Sequence, residues 1–232
     1  MATTFSEQLW DAGDAVYREI LAHPFLRGLT DGSLPHAAFR HFVVQDSHYL
    51  RDYARALAVC AAKAPTEEDV RAFASDAVGA LAAEQEMHAG FLTALDPVGE
   101  AAADGEAAAA DAPDDGVLPT TRAYTSYLLA TVYSGSFAEG LAAVLPCYWI
   151  YARVGEELLA KSSPDPLYAR WIAAYGDEEF QSVVRRVLEL ADRLGAELSE
   201  AERRRAAEHF AVTARYEWMF WDAAWRRETW PV

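Results

Sequence analysis

From Leu128 to Ala152 the chain is apolar and aromatic almost without a break, and this stretch limits what the molecule can become. It lacks the strict polar/apolar alternation of a half-exposed strand. As a helix it would be hydrophobic all round, which calls for either a membrane or a coat of other helices. Glu139, Gly135, Gly140, Ser134, Ser136 and Pro146 interrupt it, and Arg122 and Arg153 make a poor basic flank. A helix buried at the centre of a soluble bundle therefore fits better than a membrane span. Pro146 removes one backbone N–H and predicts a kink or restart within it.

The rest of the chain supplies the coat. Phe5, Leu9, Trp10, Val16, Tyr17 and Ile20 form a stripe at helical spacing over about 6–22, ended by His23-Pro24. Thr30-Asp-Gly-Ser33 is turn chemistry, with Ser33 a start signal for a long helix over about 35–63. In that helix Phe42, Tyr49, Tyr53, Leu57 and Cys60 repeat at three, four and seven, and Asp46 shares their face. Further helices are predicted from Pro65 to about Leu95, and over 120–132, 137–159, 167–175, 177–194 and 199–230. Between Asp96 and Pro119 the composition turns to Ala, Gly, Asp, Glu and Pro, predicting a solvated acidic loop within one domain spanning 1–232. No β-branched alternating run appears. The expected fold class is all-α, a bundle of about eight helices.

Charge narrows the function. The net charge is −16 in 232 residues, and Arg203-Arg-Arg205 is the one basic triplet, flanked by Glu202 and Glu208. Neither a nucleic acid nor an anionic membrane is an expected partner, because both are bound through Lys/Arg clusters. Cys60 and Cys147 are too few for a disulfide framework or a zinc site. The start Met1-Ala-Thr-Thr has no basic and apolar leader, so a cytoplasmic location is expected.

Several of the apolar stripes carry groups that a core does not need. Asp46 lies on the second long helix and Tyr124 on the next one after the acidic loop. Cys147 and Tyr151 are four apart on the central helix, hence on one face, and Glu217 precedes Trp218-Met-Phe-Trp221. A carboxylate in such surroundings is either paired or raised in pKa, and a raised carboxyl is a general acid. Each residue alone has a structural reading: a buried inert thiol, core phenols, or plain ion pairs. Spacing by itself leaves an α bundle with a polar pocket.

Together, Gln45-Asp46-x-x-Tyr49-Leu50, Tyr124-Thr-x-Tyr127-Leu128, Leu145-Pro-Cys-Tyr-Trp-x-Tyr151, Trp171-x-x-x-Tyr175 and Tyr216-Glu217-x-x-Phe220-Trp221-Asp222 resemble the TenA family. The likeness is to its cysteine-bearing branch, the thiaminase II or aminopyrimidine aminohydrolase proteins, and it runs over nearly the whole chain. It implies a haem-oxygenase-like multi-helix bundle without metal or cofactor, and commonly a homotetramer. It also implies hydrolysis of 4-amino-5-aminomethyl-2-methylpyrimidine to the hydroxymethyl pyrimidine in thiamin salvage, with thiamin cleavage a lesser activity. The resemblance puts the nucleophile at Cys147 and the acid/base at Glu217. Asp46 would hold the exocyclic amine and adjacent ring nitrogen. Tyr124, Tyr151 and Tyr175 would orient hydrogen bonds around thiol and leaving group, and Tyr49 and Phe220 would sandwich the ring. His48 stands where an aromatic is more usual.

Two rival readings remain at this point. The same fold hosts haem and di-iron oxygen chemistry, and Glu84 and His88, four apart, could join Glu139, with His23 as a haem ligand. Glu-x-x-His spacing from two helices is what a carboxylate-bridged di-iron site uses, and Glu84…His88 misses it by one residue. A non-enzymatic regulator is the other rival, against which the acidic charge and the missing helix-turn-helix signature both argue.

Overall fold

The computed structural model describes residues 3–83, 85, 89–95 and 116–232. These residues fold into ten helices and no strand: α1 (Phe5–Leu21), α2 (Pro24–Asp31), α3 (His36–Lys63), α4 (Glu67–Ala83), α5 (Ala89–Leu95), α6 (Pro119–Ser134), α7 (Phe137–Leu159), α8 (Pro166–Tyr175), α9 (Glu178–Glu197) and α10 (Glu200–Arg226). No helix among the described residues is long and apolar enough to cross a membrane.

Local signals set most of the helix starts. Thr4 with Glu7, Ser136 with Glu139 and Ser199 with Glu202 form capping boxes that open α1, α7 and α10. In each the hydroxyl accepts the N3 amide while the N3 carboxylate accepts the cap amide. Asp165 and Asp177 cap α8 and α9 through the N2 amide.

The structure corrects several expectations. His23-Pro24 ends α1 but also starts α2, since the His23 ring accepts from the Phe25 amide and Pro24 occupies the first turn. Ser33 is not a cap: Pro35 stands at that position with no side-chain bond. The helix predicted over 65–95 falls on α4 and α5, and 84 and 86–88 lie outside the described residues. The last helix stops at Arg226, because Arg227 adopts a left-handed conformation at φ 52°. Of the kink or restart expected at Pro146, the restart does not occur: the central helix runs from Phe137 to Leu159 with the proline inside it. Of the acidic 96–119 stretch, 116–118 lead as a loop into Pro119, the first residue of α6.

As expected, α7 is the axis of the bundle. It packs against α1, α3, α6, α8, α9 and α10. Leu141, Val144 and Leu145 are completely enclosed, each contributing about 2 kcal/mol of transfer free energy. Helix α10 lies beside it and also meets α1, α2, α3 and α6. The polar residues of α3, α6, α7 and α10 thus come from four helices that surround one interior.

Candidate active site

Packing of these helices brings Asp46, Cys147, Glu217, Tyr49, Tyr124, Tyr151 and Tyr175 together. Asp46 and Glu217 are buried at 3% and 1% exposure, so each carboxyl sits in a region of low polarity. The Tyr124 hydroxyl donates to Glu217 Oε1 at 2.6 Å, bridging α6 and α10. Burial pushes the Glu217 carboxyl up to about 8, against the Tyr124 bond, which pulls it down, and helped by the negative charge of Asp46. Two carboxylates facing one interior cannot both ionise cheaply.

The thiol belongs to the same cluster. Burial pushes Cys147 well above its ordinary range, and the charges of Glu217 and Asp46 add to that. The hydroxyls of Tyr49 and Tyr53 work the other way, because hydrogen bonds to sulfur favour the thiolate. The resting sulfur is a neutral thiol. Tyr49 Oη has no partner of ordinary hydrogen-bond geometry among the described residues, yet it lies close enough to the Cys147 thiol and the Tyr124 hydroxyl to lower the pKa of each. Tyr151 and Tyr175 are likewise raised, first by burial and then by the charges of Glu217 and Asp46. Cys147 and Tyr175 are half-buried where the rest of this group is buried, so space of solvent size adjoins them.

The ring arrangement differs from the expected sandwich. Tyr49 and Phe220 contact each other at a tilt, centroids 5.8 Å apart and planes 57° off parallel. A flat guest between two rings needs them parallel and about 7 Å apart, two van der Waals contacts. In this conformation it would lie against one of them. Tyr49 also stacks on Tyr53 at 5.4 Å and 20°, and contacts Tyr124 at 4.8 Å.

Close approaches elsewhere aim these side chains. A Cβ on Gly155 would stand 2.4 Å from the backbone carbon and oxygen of Tyr175, so only glycine lets the end of α8 rest on α7. Gln181 on α9 bonds the carbonyls of Ala152 and Tyr175 at 3.0 and 3.2 Å, tying the same junction. Tyr175 thereby reaches Tyr151, ring centroids 4.9 Å apart. Gln45, next to Asp46, donates to the Gly116 carbonyl and accepts the Leu118 amide, holding the entry to α6 against α3.

Comparison with known proteins places the chain in a family. Residues 10–227 match the TENA/THI-4/PQQC family. The chain belongs to that family. It is 37% identical over 226 residues to the aminopyrimidine aminohydrolase of Bacillus subtilis strain 168, covering 97% of this chain and 92% of that protein. The TenA homologue from P. horikoshii OT3 superimposes with a TM-score of 0.82 at 27% identity, covering 97% of this chain and all of that one. A Shewanella denitrificans domain described as having a haem-oxygenase-like fold superimposes at a TM-score of 0.68 and 13% identity, covering 94% and 91%, a likeness of fold alone.

Three residues of this TenA-family chain border the cluster without having been singled out as site residues from sequence. Tyr53 touches the thiol while its hydroxyl donates to the Val144 carbonyl at 3.0 Å. The signal was present, since Tyr53 follows Asp46 by seven residues on the same face. Trp171 and Trp221 are fully buried beside Tyr151, with indole N–H groups that have no partner among the described residues. Of the residues considered for a metal, those described do other work. Glu139 caps α7 and pairs with Arg205, and His23 caps α2 beside Asp222. Glu84 and His88 fall outside the described residues. Among the described residues no cluster of three His, Cys, Asp or Glu side chains could hold a metal ion.

Proposed function

We propose that this protein is an aminopyrimidine aminohydrolase (thiaminase II) that converts 4-amino-5-aminomethyl-2-methylpyrimidine to its 5-hydroxymethyl counterpart and ammonia, with thiamin cleavage as a side activity. The observation that carries this reading is a raised, Tyr124-bonded Glu217 facing the Cys147 thiol and a second carboxylate. The name of the Bacillus subtilis relative supports it.

In this reading Cys147 adds to a ring carbon of the pyrimidine while a ring nitrogen takes up a proton. Glu217, protonated near neutral pH, supplies protons to the ring and the departing amine. Asp46 holds the exocyclic amine and adjacent ring nitrogen, and its negative charge favours the protonated ring. The electron pair returned by the ring expels the amine from the adjoining carbon, water takes its place, and the thiol is released. Tyr124, Tyr151 and Tyr175 fix the acid and the leaving group, and Tyr49 and Phe220 hold the ring once they part to admit it. Because the thiol rests neutral, sulfur attack depends on a proton moving off it as substrate enters.

Several further features belong to the same reading. The chain forms one domain over 1–232 and works in the cytoplasm as a homotetramer. A groove between α1 and α10, lined by Ala15, Val16, Glu19, Arg215, Trp218 and Met219, supports self-association, as does exposed Trp225. The test is a panel of aminopyrimidines and thiamin incubated with the protein, followed by ammonia and product analysis. Release of ammonia from the aminomethyl pyrimidine is expected; no release from any of them would sink the proposal.

A further inference from the structure

Helix α6 is joined to α10 and the segment just beyond it by three side-chain links whose order is antiparallel. Glu228 meets Thr120, Glu217 meets Tyr124 and His209 meets Tyr127, so the sequence falls along one helix as it rises along the other. The middle link is the buried acid of the site. The outer two lie toward the ends of the contact.

The link at the N-terminus of α6 is unusual in its origin. That helix has Leu118 at its N-cap and Pro119 in its first turn, and Leu118 has no side-chain oxygen to accept an orphan amide. The missing acceptor comes from the segment beyond α10. Arg227, in the left-handed region at φ 52°, reverses the chain, and the Glu228 amide returns to the Ala223 carbonyl at 2.8 Å. The Glu228 carboxylate then accepts the Thr120 amide at 2.9 Å and the Thr120 hydroxyl at 3.0 Å. A negative charge at that end also suits the helix dipole. Trp230 Nε1 donates to the Val117 carbonyl at 3.1 Å, next to the bonds from Gln45 to Gly116 and Leu118. Thr120 and Tyr124 are one turn apart, so the cap holds the turn from which the phenol projects.

We propose that Glu228, with Trp230, is a positioning residue that fixes the register of α6 at which Tyr124 bonds Glu217. The strap leaves the same helix that carries the acid, so acid and phenol are set from one rigid element. The proposal rests on the aminopyrimidine aminohydrolase reading only for its kinetic arm.

The test is a double-mutant cycle in the full chain: Glu228→Ala, Tyr124→Phe and the double variant, with Thr120→Val as a milder break of the same link. The first readout needs no turnover. The infrared carboxyl band of Glu217, identified by its loss in Glu217→Gln, is titrated against pH. The groups facing it are Tyr124, Asp46, Cys147, Tyr49, Tyr151 and Tyr175, none of which the Glu228 and Thr120 variants replace. Glu228→Ala and Thr120→Val are expected to move the midpoint upward, as Tyr124→Phe does, with no further movement in the double variant. Kinetically, Glu228→Ala is expected to lower kcat about tenfold with KM nearly unchanged, and to lower it less than about twofold once Tyr124 is already Phe. An unmoved Glu217 midpoint, or losses that multiply independently in the double variant, would overturn the proposal and leave Glu228 a plain helix cap. A wild-type protein without ammonia release sinks the functional reading instead, while the infrared arm still decides this one.

Discussion

The Tyr124 hydroxyl donates a 2.6 Å hydrogen bond to Oε1 of Glu217, inside the bundle and between helices distant in sequence. Burial and the Glu217 charge raise Tyr124 well above its ordinary range, so the proton stays on the phenol. One carboxyl oxygen is thus occupied as an acceptor, and the acid proton of Glu217 is directed to the other. That fixes which way a proton can leave.

Replacing Cys147 by Ser is expected to abolish aminopyrimidine hydrolysis while the far-ultraviolet dichroism of the helices is preserved. Cys60→Ala is the control. Cys60 is 2% exposed and burial pushes its thiol up to about 12, so it is a core group and its removal should spare turnover at a stability cost of about 1 kcal/mol. Turnover retained by Cys147→Ser would refute the nucleophile.

Glu217→Gln is expected to lose turnover far more than affinity for the pyrimidine product, measured by calorimetry. It also carries a signature in stability. The carboxyl rises from an ordinary 4.5 to about 8 on folding, so between those values the native state holds a proton that the unfolded chain has released. Stability from this group is therefore full below about 4.5, lost as pH rises to about 8, and flat above. Denaturant titrations at pH 5 and pH 8 should show a smaller loss in Glu217→Gln than in the wild type. An equal loss in both would place the titration elsewhere.

Tyr124→Phe removes the bond that pulls Glu217 downward, leaving desolvation and Asp46 to act alone. The alkaline limb of the pH–rate profile, set by loss of the Glu217 proton, should move to higher pH, and the maximal rate should fall about tenfold or more. A limb that stays in place would mean that another group sets it.

Gly155→Ala places a methyl group 2.4 Å from the backbone of Tyr175 and 2.8 Å from the Gly176 nitrogen. Neither neighbour is a flexible side-chain end, so α8 must shift. A loss of about 1–3 kcal/mol is expected, seen as a melting point lower by several degrees. Turnover should fall as well, because Tyr175 leaves Tyr151. A variant as stable and active as the wild type would show that the junction is softer than its geometry.

Much of this molecule is determined by local sequence. The serine and threonine capping boxes, the stripe from Phe42 to Cys60 and the apolar stretch around Pro146 each specify a helix within a few turns of themselves, through periodicity and hydrogen bonding that neighbours in the chain supply. The unusual polar groups, Asp46, Cys147 and Glu217, are visible for the same reason: a polar residue on an apolar stripe stands out wherever the stripe ends up. What the tertiary structure decided is how those stripes meet. That Tyr53 reaches the thiol, that Tyr49 and Phe220 touch rather than stand apart, and that Glu228 caps α6 at Thr120, 108 residues earlier, depend on how the helices approach one another. Helical spacing assigns a residue to a face, but it holds no information about which face of which helix will lie opposite.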